Sequence, residues 1–347
     1  MSDRIPIGII GTSWWTELMF LPSLQSHPDA EIAGICGRNG ERTSALAAKH
    51  GIANAFTDYR KLIASGIKGV VIAAPDDMHK QMALAAIEAG LHVLCEKPMA
   101  LGAGDAAEML ARADAAGIKH LVHFTWHWQP HFQHLKAMLD DGFIGRPLRA
   151  RFEFAGGNGP SAAYQWRLDA TRAAGVLGDL GSHMIHLAQW LVGPVADVMA
   201  DAPVLIERDM PAPANDTAHL MLRFASGAQG AIDVTTLTHQ DCACRMSASI
   251  DGEDGSVEVV HTVLGPRNGL SFVATRRGGA TETVAVPGAS DSFMTPFLEN
   301  SAGARHFVDA IRDGFMPQPG FKAGLAVQQV LDAALLSNRE QAWVATG

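Results

Sequence analysis

The first 125 residues alternate short apolar runs with alanine-rich helical patterns, and few folds accommodate that alternation. The apolar runs cover 5–10, 32–36, 69–74, 92–95 and 120–124, and helical periodicity fills 16–26, 40–50, 77–89 and 103–115 between them. Gly51, Gly90 and Gly117 each follow a helical pattern, where a glycine closes a helix in left-handed backbone. Runs that are apolar on most successive residues need cover on both faces, which a parallel sheet with crossover helices supplies. The expectation for this half is α/β, a doubly wound parallel sheet.

The texture changes after about residue 145. Polar and apolar residues alternate over 149–154, 218–224, 228–236, 245–250, 256–260 and 281–286. Two short connections, Ala225-Ser226-Gly227 and Asp251-Gly252-Glu253-Asp254-Gly255, carry turn chemistry. Half-buried, mostly antiparallel strands are expected, with one face against helices and the other open to another surface. A helix over 178–191 interrupts them, and helices over 301–312 and 324–340 close the chain. The expected division is 1–124 for nucleotide binding and 125–347 for substrate binding and oligomerisation, with the final helix packing back on the first domain. No flexible linker separates the two, so a ligand is expected in the crevice between them.

Bulk properties narrow the partners. A chain of 347 residues is long for one core. The net charge of −9 argues against nucleic acid or an anionic membrane. No apolar stretch reaches a membrane span. Met1-Ser2-Asp3-Arg4 runs directly into a strand, which leaves no room for a signal peptide, and a cytoplasmic location is expected. Cys36 and Cys95 lie in apolar runs as small buried hydrophobes, and Cys242 and Cys244 alternate along a strand at a spacing poor for zinc. Reduced thiols are expected.

Chemistry concentrates at strand ends. Glu96-Lys97-Pro98 follows an apolar run, at the carboxyl edge where open α/β sheets bind ligands. The pair reads either as a solvated charge pair or as a site in which Lys97 reaches a substrate oxygen. The first strand leads into Gly11-Thr12-Ser13-Trp14-Trp15-Thr16, a dinucleotide fingerprint whose second and third glycines are replaced by Ser13 and Thr16. Small residues there still let backbone approach a pyrophosphate at a helix N-terminus. The second strand ends in Gly37-Arg38-Asn39 with no acidic residue for a ribose 2′-hydroxyl, and Arg42 lies one helical turn beyond Arg38. A guanidinium grips a 2′-phosphate, so NADP(H) is favoured over NAD, the alternative being an ordinary solvated arginine. Ala74-Pro75-Asp76 with His79 forms a proline-led turn placed to lie along a nicotinamide ribose. The candidate cofactor contacts are therefore Gly11, Thr12, Ser13, Trp14, Trp15, Gly37, Arg38, Asn39, Arg42, Ala74, Pro75, Asp76, His79, Glu96 and Lys97.

Farther along, Gly178-Asp179-Leu180-Gly181-Ser182-His183 places Asp179 and His183 four apart, on one face of a helix. A carboxylate beside an imidazole raises its pKa and fixes its tautomer, which suits a general base; the alternative is a helix-start aspartate and a satisfied core histidine.

Gly11, Pro75 with His79, Ala89-Gly90 leading to Glu96-Lys97-Pro98, Gly142-Phe143-Ile144-Gly145, Trp166-Arg167, Gly175 through His183 and Ala333-Ala334 with Ser337 together resemble the glucose–fructose oxidoreductase / inositol dehydrogenase (Gfo/Idh/MocA) family across essentially the whole chain. The resemblance implies a Rossmann domain followed by an α/β domain with a large open sheet. It also implies homodimers or homotetramers built on the free face of that sheet. By carry-over, Lys97 orients the reacting oxygen, His183 moves its proton, and Asp179 holds His183 and a substrate hydroxyl, giving Lys97, Asp179 and His183 as the catalytic set. Two departures stand out: His186 occupies a position where the family commonly has Asp, and Trp126-His127-Trp128 a stretch that often carries arginine. Trp126 and His127 with Trp166 and Arg167 are the further substrate candidates, the tryptophans being equally suited to packing.

Fifteen histidines invite a metal reading, and His127 with His131 have chelating spacing. Pro130 starts a new helix between them and no acidic ligand lies near, so no metal is expected. The expected activity is hydride transfer between nicotinamide and a secondary alcohol or ketone (or aldehyde) of a sugar, sugar acid, inositol or related cyclic diol. A hydrolase or lyase using bound NAD(P) for transient oxidation, and a non-catalytic nucleotide sensor, are the alternatives.

Overall fold

The structure is a computed structural model that describes residues 4–156, 161–239, 244–263, 265, 268–290 and 292–347. Cys242 and part of the 155–174 loop lie outside the described residues. The chain forms two compact units, one of residues 1–124 with 294–326 and one of 125–293 with 327–347.

In the first unit a six-stranded sheet runs β3-β2-β1-β4-β5-β6. The strands are β1 (Ile5–Ile10), β2 (Ala30–Cys36), β3 (Ala55–Phe56), β4 (Gly69–Ile72), β5 (His92–Cys95) and β6 (His120–Val122), and every neighbouring pair is parallel. Between them lie α1 (Leu21–Gln25), α2 (Gly40–His50), α3 (Tyr59–Ile63), α4 (Asp76–Glu88) and α5 (Ala103–Ala116). Ile7, Ile9, Val70, Val71, Val93, Leu94 and Leu121 are fully buried, as strands covered on both faces require. The order reverses between β1 and β4, so the loops after β1, β2, β4, β5 and β6 share one sheet edge at a topological switch point.

The second unit holds a nine-stranded sheet in the order β14-β13-β12-β11-β7-β10-β9-β8-β15. Its strands are β7 (Pro147–Gly156), β8 (Val195–Asp201), β9 (Thr217–Phe224), β10 (Gln229–Thr235), β11 (Cys244–Gly252), β12 (Gly255–Val263), β13 (Gly269–Arg276), β14 (Thr281–Thr283) and β15 (Val344–Ala345). Among the described residues, only β7 and β10 of this sheet pair in parallel. In β9, Ala218, Leu220, Leu222 and Phe224 are buried while His219, Met221 and Arg223 face outward. Helices α6 (Pro130–Asp140) and α7 (Ser182–Leu191) belong to this unit, and α7 is buried from Ser182 through Ala188, in keeping with its apolar sequence.

The expected assignment of 125–347 to one domain is corrected by 294–326, which returns to the first unit. This segment carries α8 (Thr295–Glu299), α9 (Ala304–Asp313) and the start of α10 (Phe321–Glu340). Phe297, Phe307 and Phe321 on it are fully buried, and Phe321 stacks on His120 with ring centroids 4.6 Å apart. Asp309 of α9 is bound to His27 at 3.1 Å.

A buried ion pair anchors the loop between β8 and β9. Asp216 accepts from Arg208 and from the backbone N–H groups of Leu205 and Ile206, each 2.8 Å away. Burial raises the Asp216 carboxyl pKa, but Arg208 and the two amides outweigh it and the net shift is downward. Asp216→Ala strands a buried guanidinium and is expected to cost about 3–5 kcal/mol in denaturant unfolding; a loss under about 1 kcal/mol contradicts this account.

Candidate active site

Gly11 closes β1 with φ +126°, and a Cβ there would collide with the Ala73 carbonyl oxygen at the end of β4. Only glycine permits both the backbone angle and the approach. Ser13 stands where a second glycine is common, and its hydroxyl accepts from the Thr16 N–H at 3.2 Å, capping the helical segment that follows. That segment opens with a wide π-turn (Thr16–Phe20) before α1. Trp14 is 60% exposed, edge-on to Trp15. After β2, Gly37 packs so closely on Thr12 and Thr43 that a Cβ would clash with both. Asn39 caps α2 by accepting from Arg42 N–H at 2.9 Å, and Arg42 Nε donates to Thr12 O at 2.7 Å, bracing the loop after β1. Arg38 is exposed, and among the described residues no carboxylate pairs with it.

His79 packs between the turns after β4 and β5. It is fully buried, with Nδ1 2.9 Å from Pro98 O and Nε2 2.9 Å from Ala74 O. Burial lowers its pKa, only partly offset by the two carbonyls. Pro75 is the N-cap of α4, and Asp76 opens that helix, buried. Lys97 follows β5, half-buried, before a cis peptide bond to Pro98. Glu96 is 7% exposed and holds three donors: Trp15 Nε1 at 2.7 Å and His123 Nδ1 at 3.0 Å on Oε1, and the Lys97 N–H at 3.1 Å on Oε2. Burial raises its pKa, but His123, the Lys97 charge and Trp15 outweigh this, and it stays an anion. His123 lies just past the end of β6, within the stretch 120–124 expected as a strand; nothing local signals a bond to Glu96, 27 residues away.

In the second unit, Asp179 lies within a π-turn (Leu177–Gly181) and His183 in the first turn of α7. The i→i+5 turn, a feature often found at functional sites, is not visible in the spacing. Asn215 sets this helix start: its Oδ1 accepts from Leu177 N–H at 2.8 Å and its Nδ2 donates to Ala174 O at 2.9 Å. Gly175, at φ +67°, leaves no room for a Cβ against Asn215. Asp179 pairs with Arg167 at 3.3 Å, and the Arg167 guanidinium stacks 4.4 Å above the Trp166 ring. Three substrate candidates, Trp166, Arg167 and Asp179, thus form one partly exposed group. His183 is buried against Trp126 and Phe154, with centroids 6.4 and 6.1 Å away.

Two family models match the chain: an oxidoreductase family with an NAD-binding Rossmann fold over residues 5–124, and the GFO/IDH/MocA C-terminal domain over residues 132–258. The chain belongs to the GFO/IDH/MocA family. It is a nicotinamide-dependent dehydrogenase or reductase acting on CH–OH groups. It is 29% identical to the levoglucosan dehydrogenase of Pseudarthrobacter phenanthrenivorans, over 89% of this chain and 88% of that one. It is likewise 29% identical to the scyllo-inositol 2-dehydrogenase (NADP(+)) IolU of Bacillus subtilis strain 168, over 95% and 96% of the two chains. A solved levoglucosan dehydrogenase in complex with NADH superposes with a TM-score of 0.86 at 27% identity, over 99% of this chain and all of that one.

The residues at the first unit's sheet edge fit a dinucleotide: the Gly11 approach and the Gly37 packing leave backbone where added side chains would intrude. In the second unit of this GFO/IDH/MocA member, aromatic and imidazole side chains form a buried cluster. Trp126, 4% exposed, packs edge-on against Phe154 and His261 and tilts on Phe293. His127 lies against Trp190 with centroids 4.1 Å apart, and its Nδ1 meets His186 Nε2 at 3.2 Å. His131 packs on His261, centroids 4.3 Å apart, and His134 on Phe272. The histidines of 120–134 thus go to separate partners, and among the described residues no group of three or more His, Cys, Asp or Glu can hold a metal ion.

Burial, reinforced by the neighbouring imidazole, drives the pKa of His131 and His186 well below the ordinary histidine value, and burial alone takes His261 to about 4. These rings are neutral when folded, whereas unfolded histidines take up protons near about 6.5. Stability is therefore intact above that pH and is lost as pH falls toward 4, by about 3 kcal/mol from His261 alone. A melting temperature that falls steadily from pH 7 to pH 4.5 is expected; a flat profile contradicts neutral burial.

Proposed function

We propose that this protein is an NADP(H)-preferring oxidoreductase that interconverts a secondary alcohol and a ketone on a sugar, sugar acid, inositol or related cyclic diol, in the cytoplasm. The observation that carries the reading is Lys97 at the end of β5, on the same sheet edge as Gly11, Arg38 and Pro75. Bound nicotinamide supplies the hydride acceptor in oxidation and the donor in reduction. Gly11, Thr12 and Ser13 receive the pyrophosphate on backbone, and Arg38 takes the 2′-phosphate, which the absence of an acid in Gly37-Arg38-Asn39 favours. The NADP-dependent inositol dehydrogenase relative supports this preference, whereas the levoglucosan dehydrogenase structure with NADH does not.

Lys97 donates to the reacting oxygen, fixing its position and stabilising negative charge as it develops. His183 takes the hydroxyl proton in oxidation and returns it in reduction. Its Nδ1 is buried, which leaves Nε2 for the transfer. Asp179, four residues before His183 and paired with Arg167, presents charge to neighbouring substrate hydroxyls. A homodimer or homotetramer would cover the open face of the nine-stranded sheet, where Met221 is 50% exposed.

With a polyol or keto-sugar substrate, Lys97→Ala and His183→Ala should each lower kcat/KM by about 10²–10⁴-fold while the His183 variant still binds nucleotide. Turnover intact in both variants sinks the assignment. Arg38→Ala should weaken NADPH about 10-fold or more and leave NADH unchanged; equal effects on both nucleotides contradict the preference. Light scattering at micromolar concentration should give a dimer or tetramer mass, and a monomer refutes the oligomeric reading.

A further inference from the structure

Glu96 is a carboxylate of the Glu96-Lys97-Pro98 turn whose use in the chemistry above is unassigned, yet three donors hold it. Its Oε1 is held by Trp15 and His123, and its Oε2 by the Lys97 backbone N–H. The donors come from three places. Trp15 lies in the first helical turn after the loop that follows β1, in the segment that Ser13 caps. His123 follows β6, and Lys97 follows β5. In the sheet order β1 and β5 are separated by β4, so the carboxylate reaches past the end of one strand to hold the loop beyond it.

The far side of His123 is also fixed. Gly303, ahead of α9, takes φ +53°, and a Cβ there would come within 2.7 Å of His123 Nε2. Phe20 and Phe297 flank the imidazole with centroids 4.9 and 5.9 Å away. The segment that returns from residue 294 therefore walls in the ring that grips Glu96.

We propose that Glu96 is a positioning residue that ties the nucleotide-binding loop, through Trp15, to the backbone of Lys97, so that nucleotide binding and placement of the lysine are coupled. This rests on the dehydrogenase reading above. A hydrogen bond between an indole N–H and a buried carboxylate is short and charge-assisted, so losing either partner loosens both ends of the tether. The coupling is local, one carboxylate shared by two loops, and requires no movement elsewhere.

The test is a double-mutant cycle on Trp15→Phe and Glu96→Gln in the full-length protein. Binding of NADPH and NADH is measured by calorimetry without substrate, and kcat and KM are measured at saturating nucleotide. Trp15→Phe keeps an aromatic ring but removes the N–H together with part of the indole. It should weaken nucleotide binding about 10-fold and also lower kcat at saturation, a split that simple loop damage does not produce. Glu96→Gln should do at least as much, and the double variant should be no worse than Glu96→Gln within about twofold, because both changes break one interaction. Losses that multiply, or a Trp15→Phe protein with wild-type binding and kcat, overturn the tether. If Glu96→Gln does not fold, Trp15→Phe with its kcat readout decides alone. A wild-type protein that binds no nicotinamide nucleotide overturns the dehydrogenase reading and the tether together. A wild type that binds and turns over beside unaltered variants overturns the tether alone.

Discussion

His79 is the contact on which the rest of the nucleotide half depends. One buried imidazole sits 2.9 Å from the carbonyl oxygens of Ala74 and Pro98, donating to one and packing against the other, so its ring spaces the turn after β4 from the turn after β5. Pro75, which starts α4, and Lys97, one residue before Pro98, inherit that separation. With Gly11 pressed against Ala73, the loop after β1 is referenced to the same point. Three loops from three strands therefore form one rigid edge, and the positions of its polar groups follow from backbone contacts rather than from the side chains themselves.

The parallel sheet was legible because its strands are continuous apolar runs and its helices end in glycine; α2 and α5 do stop at Gly51 and Gly117 in left-handed backbone. What the sequence hid is short or weakly patterned. β3 is two residues and α3 five, so neither carries enough periodicity to be read. The return of 294–326 to the first unit was invisible for another reason: Phe297, Phe307 and Phe321 are apolar in any context, and only the tertiary fold says which core they fill.

At the site, motif residues announced themselves and their supports did not. Lys97, Asp179 and His183 are reactive types at recognisable spacings. Asn215 and His123 have no such mark, since their partners lie 38 and 27 residues away. The tryptophans were ambiguous by nature, and Trp126 proves to be a packing centre among Phe154, Phe293 and two histidines. His127 and His186 satisfy each other, Nδ1 to Nε2 at 3.2 Å, a pairing that no local spacing announces.

The central claim is that hydride moves between substrate carbon and bound nicotinamide. Mass spectrometry of the product formed with reduced nicotinamide nucleotide deuterated at C4 tests it most directly. The account predicts one deuterium on the carbinol carbon of the product, with oxidised nucleotide released in equal amount. Product that carries no deuterium, or that forms without net nucleotide oxidation, would contradict it and point instead to chemistry in which the nucleotide is only transiently oxidised or reduced.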